Sequence, residues 1–149
     1  MNIVVLNHSD WRDEQHVRLV DRRADHIRSV LRAEVGDTIR VGELNGDLGQ
    51  GRICALDADA VVLAVALNQP PPPRHRFDIV LSLPRPKVLR RLFRTVAEFG
   101  VANLHLINCA RVEKSYWQSP LLEEDKVHDA LLAGMERASD TVVPRVHQH

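Results

Sequence analysis

The sequence has little of several features that mark specialised classes of protein. Of its 149 residues only 2 are Cys and 4% are aromatic, and no apolar run reaches the length of about 18 residues that a membrane helix needs. Cys54 and Cys109 belong to no CxxC or Cys/His cluster, which indicates reduced, buried thiols and excludes a structural zinc site. Asp10 and Asp13 interrupt the region where a signal peptide would be apolar. We therefore expect a cytoplasmic protein without membrane contact.

The net charge is zero, but the charges are unevenly distributed. Residues 1–73 carry 8 basic and 11 acidic side chains, residues 74–110 carry 7 and 2, and residues 111–149 carry 5 and 7. The positive charge is thus concentrated in the middle of the chain. A composition of 44% hydrophobic and 27% charged residues is otherwise that of an ordinary globular protein.

Four consecutive prolines, 70–73, favour an extended segment and mark a domain boundary. Residues 1–69 then form one module, residues 70–76 a proline-rich linker and residues 77–149 a second module. The first module is predicted to be a small β-barrel with one helix. Its strands are expected at Ile3–Leu6, on both sides of an Asn45-Gly46 hairpin turn, and at Ala60–Leu67.

The helix of the first module begins after Asp21, whose carboxylate is a suitable N-cap. Its apolar face is predicted to contain Ala24, Ile27, Val30 and Leu31. The first module is therefore expected to bury one side of this helix.

The second module alternates strand and helix. An apolar run at Asp78–Leu83, a helical period over Val88–Phe99 ended by Gly100, and a second apolar run at Leu104–Ile107 predict a βαβ unit with parallel strands. A further helix is expected from Ser119-Pro120 to about Ala138, followed by a strand that starts near Val142.

Basic side chains occupy one side of the first helix in this module. At 100° per residue, one face carries the apolar residues Leu89, Leu92, Phe93, Val96 and Phe99. The cations share the opposite face and are expected to project to solvent, where Glu98 can offset Arg94. A solvated helix face is one interpretation. The alternative is a phosphate-binding surface, because weakly compensated cations beyond the carboxyl end of a parallel strand suit phosphate oxygens. The cations are Lys87, Arg90, Arg91 and Arg94.

The segment after the next strand is a second candidate. Arg111 and Lys114 lie beside Tyr116 and Trp117, so the segment could hold phosphate and stack a base, or its aromatics could anchor the loop. In the first module, Arg28 and Arg32, spaced i, i+4 on the predicted helix, form a third, more ambiguous cluster with nearby His26. The glycine-rich stretch Gly46–Gly51 leads into a strand and is interpreted as a hairpin, not a nucleotide loop. The eight His show no metal-ligand spacing, and no catalytic triad can be singled out.

Several of these segments, in this order, resemble the RsmE family, which methylates uridine nitrogen 3 in small-subunit (16S) ribosomal RNA. They are His26–Arg32 with Gly36-Asp37, the helix from Arg85 and Lys87 to Val101, Arg111–Lys114, and Glu136–Pro144. The resemblance covers essentially the whole chain.

The resemblance implies a PUA-like RNA-binding barrel followed by the first part of a SPOUT (α/β knot) parallel-sheet domain without the knot. It also implies S-adenosylmethionine as cofactor, the small ribosomal subunit as partner and a homodimer at full length. By position, His26, Arg28 and Arg32 match the family's HxxxVLR stretch, and Arg85, Lys87 and Glu98 match its basic helix. No catalytic, cofactor-binding or metal-binding residue is assigned. The expected RNA-binding residues are His26, Arg28, Arg32, Arg85, Lys87, Arg90, Arg91, Arg94, Arg111, Lys114, Tyr116 and Trp117.

Two departures from the family accompany this resemblance. Asp140 occupies a position where the family usually has Arg. The family's glycine-rich cofactor loop and knot do not occur in the sequence, so we expect a truncated form that is inactive alone. A non-catalytic RNA-binding protein, or a flavodoxin-like nucleotide-binding or signalling domain, remains as an alternative.

Overall fold

The computed structural model describes residues 1–149, which divide into two compact units, Asn2–Pro71 and Pro72–His149. The division falls within the proline run. No helix in either unit is both long and apolar enough to cross a membrane.

The N-terminal unit, Asn2–Pro71, is a mixed five-stranded sheet with one helix. Its strands are β1 (Val4–Leu6), β2 (His16–Leu19), β3 (Thr38–Glu43), β4 (Leu48–Leu56) and β5 (Val61–Gln69), and its helix is α1 (Arg22–Ser29). The strand order is β1-β3-β4-β5-β2, in which only the β1–β3 pair is parallel. Strands β1 and β2 lie at the two edges of the sheet, which curls into a half-barrel. The small β-barrel expected from the sequence is confirmed to the extent of this curled mixed sheet.

The sequence signals for this unit are confirmed in part. Asp21 caps α1 by accepting a hydrogen bond from the Arg23 amide, and the β3–β4 hairpin turns at Asn45-Gly46. The predicted apolar face of α1 is wrong at its C-terminal end, because the helix stops at Ser29 and leaves Val30 64% and Leu31 44% exposed. Strand β2 was not predicted.

The C-terminal unit, Pro72–His149, is a three-stranded parallel sheet with two α-helices. Its strands are β6 (Ile79–Ser82), β7 (Asn103–Ile107) and β8 (Arg145–Gln148), and its helices are α2 (Pro86–Glu98) and α3 (Glu124–Ala138). The strand order is β6-β7-β8. The predicted parallel βαβ unit is confirmed, including the left-handed Gly100 with φ +63° after α2.

Helix α3 begins later than the sequence suggested. Ser119 caps a short 3-10 helix, Pro120–Leu122, by accepting a hydrogen bond from the Leu121 amide, and α3 starts only at Glu124. The Ser-Pro signal was therefore correct as a cap but was assigned to the wrong helix.

Helices α2 and α3 pack together at Gly134. An ideal Cβ on Gly134 would lie 2.2 Å from the Arg94 carbonyl oxygen and 2.9 Å from the Ala97 Cβ. Real Cβ atoms do not approach other atoms so closely, so glycine is required where the two helices cross.

Three other predictions of burial are wrong. Phe99, placed on the apolar face of α2, follows the last residue of the helix and is 63% exposed. Cys54 and Cys109 are free thiols as predicted, but both are exposed, because one lies in the irregular part of β4 and the other in the loop after β7.

Candidate nucleic-acid interface

The first half of α2 presents a strip of cations to solvent. Leu89 and Phe93 are buried, with exposures of 0% and 1%, so the opposite side of the helix faces outward. Lys87, Arg90 and Arg91 are exposed there and make no ion pair or side-chain hydrogen bond. We call these three residues the α2 cation strip.

The second half of the same side is covered by α3. Arg94 is half-buried, its Nε is buried without a hydrogen-bond partner, and its carbonyl oxygen faces Gly134. Arg94 is therefore less exposed to solvent than Lys87, Arg90 and Arg91. Glu98 does not offset Arg94 either, because its Oε1 lies 3.2 Å from Nε of Arg137 on α3.

Two further candidates lie at the same edge of the sheet. Strands β6 and β7 end side by side, since the Leu83 amide donates a 3.0 Å hydrogen bond to the Ile107 carbonyl. Arg85, directly before α2, follows the end of β6, and Arg111 follows the end of β7; both are exposed and lack ion pairs. The edge therefore combines cations from two loops with the α2 cation strip.

The loop after β7 orients its aromatic residues through its own polar groups. The Tyr116 hydroxyl lies 3.1 Å from a Glu113 carboxylate oxygen, and Trp117 Nε1 donates to Asn108 Oδ1 at 3.3 Å. Both rings are half-buried, whereas Lys114 is exposed. The aromatics thus anchor the loop and leave part of each ring accessible.

The three candidates of the N-terminal unit do not form one site. Arg28 pairs with Asp25 at 2.6 Å and donates to the Asp57 carbonyl at 2.9 Å, so its guanidinium is occupied. His26 is half-buried and lies two residues away, on the other side of α1. Arg32 lies beyond the helix end with φ +51°, so the predicted i, i+4 pair of Arg28 and Arg32 on one helix is wrong.

Sequence reasoning missed a buried charge cluster in the same unit. Arg23, 5% exposed, contacts Asp10 at 2.6 and 2.8 Å, Asp21 at 2.7 Å and the Val5 carbonyl at 2.7 Å. Burial disfavours the charge of Arg23, but its hydrogen bonds to Asp21 and Asp10 outweigh that effect and raise its pKa. The Arg23 guanidinium also lowers the pKa of Asp21. Nothing distinguishes Arg23 from its neighbour Arg22 in the sequence.

Asp140 has a structural role. It is 3% exposed, forms an ion pair with Arg74, and accepts hydrogen bonds from the amides of Thr141 and Val142 at 2.7 and 3.1 Å. The residue that departs from the family pattern therefore joins the segment after the prolines to the turn between α3 and β8.

The open face of the parallel sheet carries three histidines. The rings of His105 and His147 stack with centroids 4.4 Å apart, and His105 Nδ1 lies 3.0 Å from His149 Nε2. No group of three or more His, Cys, Asp or Glu side chains has the arrangement of a metal site.

Comparison with known proteins shows similarity along the chain. The model of the RNA methyltransferase domain family matches residues 70–149. Ribosomal RNA small subunit methyltransferase E of Treponema pallidum is 33% identical over 128 residues, which cover 85% of this chain and 48% of that protein. The chain spans about half the length of the curated relatives it matches.

Solved structures share the fold. A probable rRNA methyltransferase from Porphyromonas gingivalis matches with a TM-score of 0.74 and 19% identity over 98% of this chain and 60% of that one. A ribosomal RNA small subunit methyltransferase E from Neisseria gonorrhoeae, bound to S-adenosyl methionine, matches with a TM-score of 0.72 and 14% identity over 99% and 62%.

Proposed function

The chain belongs to the RNA methyltransferase family, within which it resembles RsmE, and from that premise we propose that it supplies RNA-binding surfaces for S-adenosylmethionine-dependent methylation of small-subunit ribosomal RNA. The proposed target is nitrogen 3 of a uridine in 16S RNA, the product of the family it resembles. The partner is accordingly the small ribosomal subunit, in the cytoplasm, and the enzyme acts as a homodimer.

One observation carries the proposal: the α2 cation strip has no anionic partner within the protein. Exposed cations without an ion-pair partner in the protein are available to bind an anionic ligand, and guanidinium groups match phosphate oxygens well. Arg85, Arg111 and Lys114 extend this positive region along the sheet edge. Tyr116 and Trp117 add two partly accessible rings on which a base can stack.

The fold supports the finer assignment of the two units. The curled sheet of the N-terminal unit fits a PUA-like RNA-binding module. Arg32 is its exposed candidate, whereas the Nε2 atom of His26 is buried and Arg28 is held by internal contacts. The parallel sheet of the C-terminal unit fits the first part of a SPOUT domain.

The residues present do not fit a glycine-lined cofactor site. The C-terminal unit contains two glycines: Gly100 adopts a left-handed conformation after α2, and Gly134 admits the Arg94 carbonyl. Neither lets the backbone approach a cofactor, so we assign no cofactor-binding residue and no catalytic residue. Methylation at nitrogen 3 replaces a ring proton, and a cation near the ring would stabilise the anion formed when that proton leaves.

The test measures binding of the full chain to purified small ribosomal subunits by co-sedimentation at several salt concentrations. The variant is Arg90→Ala/Arg91→Ala, and the matched control is Arg22→Ala/Lys126→Ala, which removes two exposed charges from other helices. Each lost phosphate contact reduces the slope of log K against log salt by about 0.7–0.9. We expect the α2 variant to lose about 1.5 from that slope and the control to behave like the unchanged chain.

Binding indifferent to salt, or equal loss in variant and control, would make the α2 cation strip a solvated helix face. If the chain shows the expected salt-dependent binding but the full-length protein transfers no methyl group, the protein is a non-catalytic RNA-binding protein.

A further inference from the structure

The outward side of the N-terminal sheet carries arginines that the proposed function does not use. Strands β2 to β5 bury one side, where Val17, Val41, Ile53 and Leu63 are at most 1% exposed. Since side chains alternate along a strand, the residues between them point the other way. Arg18, Arg40 and Arg52 lie on that outward side, which we call the arginine face.

Strand register fixes the arrangement of these arginines. Arg40 on β3 lies opposite Gln50 on β4, and Arg52 is two residues further along β4. The two arginines are therefore diagonal neighbours, about 7–8 Å apart at the backbone. Arg18 lies on β2 opposite Val62 of β5 and extends the face across the sheet.

The charges of Arg40 and Arg52 are uncompensated. Both side chains are exposed, and neither forms an ion pair or a side-chain hydrogen bond. Arg18 is half-buried and is attracted by Asp57. Although residues 1–73 have an excess of acidic side chains, Asp10, Asp21 and Asp25 pair with other arginines of the unit. The face is therefore positive on an otherwise acidic module.

Beside Arg40 the sheet surface is concave. A cavity of about 390 Å³ is bordered by Arg40, Gly49, Gln50, Ala66, Asn68 and Gln69. An ideal Cβ on Gly49 would lie 1.9 Å from the Ala66 carbonyl oxygen, so glycine is required where β4 approaches the β5 backbone beside this cavity. The side-chain amides of Gln50, Asn68 and Gln69 make no side-chain hydrogen bonds within the protein.

The chemistry of this surface fits the sugar–phosphate backbone of RNA. Guanidinium groups bind phosphate oxygens, and an amide can both donate to and accept from a ribose 2′-hydroxyl, which DNA lacks. The strand positions named on this face include no aromatic residue, so it offers no platform for base stacking. Contacts of this kind position a nucleic acid without reading its sequence.

We propose that the arginine face is a second RNA-contacting surface, distinct from the α2 cation strip, that binds the RNA backbone through Arg40 and Arg52. The inference rests on the proposed function only in taking RNA as the partner. It gives the N-terminal unit a sheet surface for this contact in addition to the candidate residue Arg32.

The experiment measures fluorescence anisotropy of a labelled 20-nucleotide mixed-sequence single-stranded RNA with the full 149-residue chain at 50 and 200 mM KCl. The test variant is Arg40→Ala/Arg52→Ala, with Arg22→Ala/Lys126→Ala as the control for lost charge. Loss of two single-strand phosphate contacts lowers the salt slope by about 1.4. The unchanged chain binds more tightly than the variant, and the ratio of their affinities should fall about sevenfold when KCl rises from 50 to 200 mM.

Two further variants serve as controls. One distinguishes the loss of a phosphate contact from misfolding, and the other tests the preference for RNA over DNA. Arg40→Lys/Arg52→Lys keeps both charges, so its salt slope should stay close to that of the unchanged chain and not fall to that of the alanine variant. Gln50→Ala/Asn68→Ala should reduce the preference for RNA over DNA of the same sequence while leaving the salt slope unchanged.

The outcomes distinguish this inference from the proposed function. The α2 variant Arg90→Ala/Arg91→Ala is measured in the same anisotropy assay. If it weakens binding but Arg40→Ala/Arg52→Ala matches the control, the arginine face is not an RNA surface and the proposed function stands. If both variants weaken binding, or the arginine-face variant alone does, the inference is supported. If neither differs from the control, both proposals are overturned.

Discussion

Replacing Gly134 with alanine tests the packing of α3 on α2. The added Cβ would lie 2.2 Å from the Arg94 carbonyl oxygen and 2.9 Å from the Ala97 Cβ. The nearer contact is with backbone, so no side-chain rotation can relieve it, and the two helices must separate. Separation would also disturb the packing around Met135, which follows Gly134 in α3 and is 0% exposed.

The magnitude follows from two opposing effects. Alanine is favoured over glycine inside a helix by about 1 kcal/mol, whereas overpacking a close contact costs about 1–3 kcal/mol or more. Since the clash involves backbone, we expect the overpacking to exceed the gain and the free energy of unfolding to fall by about 1–3 kcal/mol.

The assay follows urea unfolding by tryptophan fluorescence in a Trp11→Phe background, so that Trp117 reports on the C-terminal unit alone. Ala97→Gly serves as a control because it removes the farther contact but not the carbonyl clash. The double variant Gly134→Ala/Ala97→Gly should therefore remain destabilised. Gly134→Ala with unchanged or increased stability would refute the close crossing of the two helices.

Three further predictions concern charged residues held in ion pairs. Arg23→Met should cost about 3–5 kcal/mol by urea unfolding followed at Trp11, because it leaves Asp10 buried without its partner, and a loss below about 1 kcal/mol would contradict the cluster. Arg23 lowers the pKa of Asp21 in the folded state. The Asp21 carboxylate therefore stabilises the fold above about pH 4, and this stabilisation is lost as the pH falls through the folded-state pKa. In Asp21→Asn, the free energy of unfolding should depend less on pH below about pH 4. Asp140→Asn should destabilise the C-terminal unit by about 1–3 kcal/mol, because Arg74 loses its anionic partner, and unchanged Trp117 unfolding would refute this.

The elements with strong local signals were predictable from the sequence. Three such signals depend only on residues close in sequence: the Asp21 cap, the Asn45-Gly46 turn and the apolar period of α2. The structure has all three. The parallel pairing of β6 and β7 followed from the helix between them.

What the sequence could not indicate depends on contacts between distant residues. Strand β2 lacks a clear apolar run and is defined by pairing with β5. Arg94 lies on the same side of α2 as Lys87, Arg90 and Arg91, yet it alone of the four is half-buried, with its Nε enclosed, and the helical period does not show this. The arginine face was missed for the same reason, because Arg40 and Arg52 become neighbours only through strand register.

Binding of the full chain to small and large ribosomal subunits in parallel, at 150 mM salt, tests the central claim most directly. The account predicts a preference of about tenfold or more for the small subunit, equivalent to about 1.4 kcal/mol, that Arg90→Ala/Arg91→Ala weakens. Equal binding to the two subunits, with or without these arginines, would contradict small-subunit RNA recognition by the α2 cation strip.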